Sequence, residues 1–227
     1  MIEVMVIGGG DNMKICENVY WYREKGWMDA NTFVIKGDIT VLIDPGLSEY
    51  AWMKCEEMRE DGIEPQEIDV LLITHSHPDH CDALSIFKKY ANASICLHSS
   101  QAEWASTISE VSYRFLGVKP RDFKADIILD DLLTKKMRLS VLHTPGHTPD
   151  SVCFYLPENA VLLTGDTVFE RGIGRTDMPF GDEDALKASI ERISALDVEI
   201  LLPGHGNIIK GRENVRKNFA FVMNFFR

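Results

Sequence analysis

Five times along the chain, a short apolar run ends at or just before an aspartate or a histidine. The runs are ITVLID (39–44), ending in Asp44, and IDVLLI (68–73), leading to His75. MRLSVLH (137–143) leads to His147, AVLLTGD (160–166) ends in Asp166, and VEILLPGHG (198–206) carries His205. Short runs rich in Val, Ile and Leu and bounded by Gly or Pro read as strands. IDVLLI has almost no polar break, as a strand covered on both faces requires. In layered α/β proteins, binding groups gather in the loops beyond one edge of a sheet. If the five ends converge, they build one site from five loops, which favours a single domain over residues 1–227.

The stretches between these runs fit that class. NTFVIK (31–36), Gly37-Asp38 and ITVLID form a hairpin, and SVCFYL (151–156) pairs in the same way with AVLLTGD. SICLH (94–98) is a further short strand. Helical spacing places helices over residues 48–61, 83–90, 101–115, 182–196 and 213–226. In the first of these Trp52, Cys55 and Met58 share a face, with Gly62 as the stop. In the fourth, Leu186, Ile190 and Ile193 form the buried face. Strands thus alternate with helices to the end, giving an α/β protein.

The opening MIEVMVIGGGDN is apolar but short, broken by Glu3 and without a basic leader, so it reads as a strand rather than a signal peptide. No stretch approaches the length of a membrane span. The formal net charge of -11 disfavours nucleic acid and anionic membrane surfaces as partners, leaving a small molecule. The cysteines (Cys16, Cys55, Cys81, Cys96 and Cys153) are odd in number and form no CxxC pair. They read as free thiols of a reducing compartment, so a cytoplasmic protein is expected. Cys81 adjoins the histidine cluster, but the nitrogen and oxygen donors beside it suffice without it.

THSHPDH puts three of the seven histidines between positions 75 and 80. In an extended H-x-H both rings fall on one face, so His75 and His77 can chelate one ion. Asp79 and His80 are adjacent and diverge, so they serve a different point. Further donors come from PGHT (His147), TGDT (Asp166) and PGHG (His205). Each follows a glycine, which permits the tight turn that aims a ligand inward. A polar loop rich in histidine by chance is the alternative. A string H-x-H-x-D-H directly after an apolar strand makes that a poor explanation. His98 and His143 stand alone and read as structural histidines.

THSHPDH, PGHT, TGDT and PGHG, in that order and from ITVLIDPG onward, resemble the metallo-β-lactamase superfamily. The resemblance implies a four-layer αββα sandwich, two sheets face to face with helices outside. It also implies His75, His77 and His147 on a first metal, Asp79, His80 and His205 on a second, and Asp166 bridging them. Asp44, in LIDPG, would orient the ligand loop by hydrogen bonding. The expected cofactor is a pair of divalent ions, zinc first and iron as the alternative. Such a pair lowers the pKa of a shared water towards about 7 and polarises a carbonyl. Asp79 would also assist the nucleophile.

GRTD, within FERGIGRTDMPFGD (169–182), looks like the glyoxalase II-like branch and the related persulfide dioxygenases. Arg175 there either binds a substrate carboxylate with its planar fork or pairs with Asp177 or Asp182 to hold the loop. The chain departs from glyoxalase II after PGHG, where only residues 207–227 remain in place of a glutathione-binding helical domain. The expected function is therefore metal-dependent hydrolysis of a thioester, or of a related ester or lactone, by a metal-activated hydroxide. The alternative is a mononuclear non-haem iron persulfide dioxygenase holding its iron with His75, His147 and Asp166. A non-catalytic metal-binding module is the third reading, and the complete ligand sets argue against it. The closing helix carries Phe219, Phe221, Phe225 and Phe226, more aromatic surface than one packing face needs. It packs on its own domain or, alternatively, against a second copy in a homo-oligomer.

Overall fold

The computed structural model describes residues 13–26, 28–116 and 123–226. The strand expected over residues 1–12 lies outside them.

The first sheet contains β1 (Lys14–Cys16), β2 (Val19–Tyr22), β3 (Thr32–Ile35), β4 (Val41–Ile43), β5 (Val70–Leu72), β6 (Ser94–Leu97) and β7 (Ile127–Ile128), side by side in chain order. β1 to β4 pair antiparallel, and β4 to β7 pair parallel. Parallel neighbours need crossovers. These contain α1 (Ala51–Glu60) after β4, α2 (Pro78–Cys81) and α3 (Leu84–Ala91) after β5, and α4 (Ser99–Leu116) after β6. A short α5 (Asp131–Lys136) leads to β8 (Ser140–His143), β9 (Val152–Leu156) and β10 (Val161–Gly165). A small hairpin of β11 (Val168–Phe169) and β12 (Gly172–Ile173) follows. Then come α6 (Glu183–Ser194), β13 (Ile200–Pro203), β14 (Ile209–Lys210) and α7 (Arg212–Val222). The second sheet runs in the order β14-β13-β10-β9-β8.

Alternate residues along one strand face opposite sides, and the three apolar clusters follow that alternation. Phe33, Ile43 and Leu72 meet Phe154, Leu163 and Leu202 of the other sheet in a central core. Their neighbours Leu42, Leu71 and Ile95 point outward onto Met58 of α1 and Phe87 of α3. On the far side Leu162 and Leu201 pack on Leu186 and Ile190 of α6 and Phe219 of α7. The result is helix, sheet, sheet, helix, the sandwich that the sequence resemblance implied. It also explains why Val70–Leu72 and Val161–Leu163 are apolar at consecutive positions.

Two expectations need correcting. Trp52 does not share the buried face of α1. It is 61% exposed, while Ala51, Lys54, Cys55 and Met58 are buried. The face is rotated because the Lys54 ammonium is drawn inside to Asp29, at 2.8 Å. Trp52 instead lies under the Arg59 guanidinium. The closing helix ends at Val222 and continues as a 3-10 turn, Met223–Phe226. Phe219 is buried, but Phe221 and Phe225 are exposed, and the Arg171 guanidinium covers the Phe221 ring. Among the described residues no helix is long and apolar enough to cross a membrane.

Candidate metal centre

After Leu72 the chain bends at Thr74 and His75, is extended again at His77 and then turns into α2, with Pro78 at its first position. Proline suits that position because its ring presets the helical φ and the missing N–H is not needed there. This path sets His75 and His77 side by side, with His75 Nε2 3.0 Å from His77 Nδ1. The loop after β8 brings His147 Nε2 to 3.0 Å from the same His77 nitrogen. One turn of α2 then swings Asp79 and His80 to a second point. There His80 Nε2 is 3.3 Å from His205 Nε2, and Asp79 Oδ2 is 3.1 Å from His205. Asp166, just past β10, stands between the groups. Its Oδ1 lies 3.3 Å from His80 Nε2, and its Oδ2 3.6 Å from both His147 and His205. All seven side chains expected as ligands therefore converge, in three overlapping sets whose ligand atoms lie within 4.8 Å of one another.

Outer partners decide which ring nitrogen faces inward. The Nδ1–H of His147 donates to the Arg175 carbonyl at 2.8 Å. That of His80 donates to Asp44 Oδ2 at 2.9 Å, and that of His205 to Glu24 Oε2 at 3.1 Å. With the proton placed on Nδ1, each Nε2 lone pair points at the centre. Without a cation the two halves behave oppositely. Burial, reinforced by the neighbouring His147, lowers the His77 pKa to about 4. Burial also opposes charge on His205, but Asp166, Asp79 and Glu24 together outweigh it and raise that pKa to about 10. Asp166 Oδ1 is buried with no hydrogen-bond donor at all. Converging imidazole lone pairs and an orphaned carboxylate oxygen fit a borderline divalent metal. Few other occupants satisfy both.

Asp44 lies behind the cluster. Its carboxylate accepts the Thr74 amide at 2.7 Å, the Thr74 hydroxyl at 2.8 Å and the His80 ring. It thus fixes the start of the ligand segment and one ligand together. It sits just past β4 at φ +54°, a backbone conformation uncommon for a residue with a side chain. Glycine before a ligand has a different reason at one site than expected. Gly165 does adopt positive φ, but Gly204 does not. There a Cβ would lie 2.4 Å from Asp166 Oδ1 and 2.7 Å from the His80 ring. Gly204 is required by close approach rather than by a turn.

Arg175 forms a two-point pair with Asp177, both contacts at 2.9 Å, and the pair is exposed. Asp182 instead caps α6, accepting from the Ala185 amide. The loop-holding alternative for Arg175 is therefore the observed one, although its side chain also borders the cavity over the centre. Cys81 Sγ donates to the Ser76 carbonyl and lies outside the ligand sets. His98 and His143 stack on each other at 5.4 Å and also stay outside them.

Several supporting residues carried no readable signal. Glu24 lies in the charged stretch REKG, which looks like solvated loop. Asp150 is buried and accepts from Ser76 Oγ and Thr148 Oγ1, tying the first ligand segment to the His147 loop. Asn31, also buried, donates to the carbonyls of Pro203 and Gly206 and accepts from Trp21 Nε1 and the Glu24 amide. It hangs the His205 loop on the first sheet. Glu24→Ala is expected to weaken metal binding at the Asp79–His80–His205 point about 10-fold and to leave the other point unchanged. Metal titration followed by competition with a chelator measures it, and equal weakening at both points would contradict the assignment.

Comparison with known proteins agrees with this geometry. The metallo-beta-lactamase superfamily profile matches residues 26–205. The probable metallo-hydrolase MJ0888 of Methanocaldococcus jannaschii is 34% identical over 186 residues, 79% of this chain and 88% of that protein. The hydroxyacylglutathione hydrolase GloC of Haemophilus influenzae is 32% identical over 186 residues, 78% of this chain and 84% of that one. The crystal structure of TTHA1623 in a di-iron-bound form superposes with a TM-score of 0.73 at 27% identity, covering 88% of this chain and 98% of the other.

Proposed function

The chain belongs to the metallo-β-lactamase superfamily, and from that membership we propose a two-metal hydrolase that cleaves a thioester, or a related ester or lactone, of a small molecule. One observation carries the reading: the Asp79–His80–His205 point is built as completely as the His75–His77–His147 point, down to the carboxylates behind its histidines. A mononuclear dioxygenase would use only His75, His147 and Asp166, and because the dioxygenase relatives retain second-site residues, the test below includes oxygen uptake. His75, His77 and His147 would hold one ion, Asp79, His80 and His205 the other, and Asp166 both. Zinc is the first choice for five imidazoles and two carboxylates, and the same donors accept iron. When bound, such a pair supplies hydroxide at neutral pH and polarises a carbonyl.

The chain's own groups do the rest. Asp79 Oδ2 lies 3.1 Å from His205 Nε2 and 3.6 Å from His80 Nε2. As a carboxylate beside a divalent ion it would be an acceptor, able to take a hydrogen bond from the nucleophile or to move its proton. Beyond the ligands, the described cavity wall contains no carboxylic acid or histidine to protonate a leaving group. A thiolate needs little protonation, which favours a thioester over an amide. The similarity to GloC supports the same bond type.

The test sets thioester cleavage beside oxygen uptake with a persulfide, on the metal-loaded protein. Cleavage without oxygen uptake is expected. Oxygen consumption with one iron per chain would overturn the reading. Arg175 stands at the cavity rim, and its solvent-exposed pair with Asp177 is weak, so a substrate carboxylate can displace Asp177. Arg175→Ala is then expected to raise KM about fivefold for an anionic acyl group and hardly at all for a neutral one. Equal effects would leave Arg175 only the loop-holding role.

A further inference from the structure

The cavity over the metal centre has a volume of ≈ 470 Å³. Apart from the ligands, its wall is Met28, Pro78, Phe169 and Met178, with Ser112 and Arg175 as the polar members. The Phe169 ring lies 6.2 Å from the His205 ring, so the apolar wall begins at the ligands themselves. Met28 and Met178 are half-buried, and their flexible thioethers adapt to apolar shapes. Among the described wall residues Arg175 is the one cation, and Asp177 already holds it. Asp79 and Asp166 would be matched by the ions they hold, Glu24 is taken by His205, and the Arg23 beside it donates to Asn207. A glutathione limb carries two carboxylates and an ammonium group. Setting these against methionine and phenylalanine without partners is costly.

We propose that the substrate's thiol or alcohol limb is uncharged and apolar, an aliphatic or aromatic group seated against Met28, Phe169 and Met178. The proposal rests on the hydrolase reading above. In the reaction, the water oxygen bonds to the acyl carbon as the C–S bond breaks, and a carboxylic acid and the free apolar thiol leave. Arg175 meets at most one carboxylate, at the rim and on the acyl side.

The test gives the metal-loaded protein one short acyl group in two forms, as the thioester of benzyl mercaptan and as that of glutathione. The two thiols are of similar acidity, so the reacting carbonyl is matched. kcat/KM is expected to be at least ~10-fold higher for the benzyl thioester. Met178→Ala should narrow that ratio by lowering the benzyl value, and Met28→Ala should do the same. Equal values, or a preference for the glutathione thioester, would overturn this inference and leave the hydrolase reading standing. Cleavage of neither thioester would overturn both.

Discussion

Asp166→Ala is expected to lower thioester hydrolysis by about 10³-fold or more, with the fold intact. The Asp166 carboxylate reaches both halves of the centre: Oδ1 stands against His80, and Oδ2 against His147 and His205. Removing it deprives each half of its shared oxygen and frees the two to drift apart. In the metal-free protein burial opposes charge on Asp166, but His205 and His80 outweigh it and hold the carboxyl ionised, so its loss should also lower thermal stability. Steady-state rates and a melting curve on the same preparation check both halves of this expectation. A variant that keeps its rate would show that the centre does not do the chemistry.

Lys54→Ala is expected to destabilise the protein by roughly 3–5 kcal/mol and to lower Tm by on the order of 10 °C, without touching a ligand. Lys54 Nζ is fully buried, 2.8 Å from Asp29 and within reach of the Ala30 and Pro45 carbonyls. Burial presses its pKa down, and Asp29 acts in the opposite direction. Without the ammonium, Asp29 is left as an uncompensated charge that still accepts from the Lys25 and Leu47 amides. The pair joins α1 to the loops that carry Asn31 and Asp44, so the loss reaches the metal centre through its supports. Denaturant unfolding measures the effect, and a change below about 1 kcal/mol would mean that water already relieves the pair.

The converging side chains were legible because they fall in short strings. His75, His77, Asp79 and His80 fall within six residues, and His147, Asp166 and His205 each follow a glycine at a strand end. The sandwich was legible for a related reason. A strand buried on both faces must be apolar at consecutive positions, as Val70–Leu72 and Val161–Leu163 are. The supports were not legible, because nothing local marks them. Glu24 reaches His205 across 181 positions, and Asn31 reaches Pro203 across 172. Asp150 reads as a turn residue until Ser76 is seen beside it. The error at Trp52 has the same origin. Spacing alone ranks tryptophan above lysine for a buried face, and only the distant Asp29 reverses that order.

The central claim is that two complete metal points share Asp166. Elemental analysis of the purified protein, loaded with zinc or iron and desalted, tests it most directly. Two ions per chain are expected in the native protein, and about one after His205→Ala, which strips the second point alone. One ion per chain in the native protein, unchanged by His205→Ala, would contradict it.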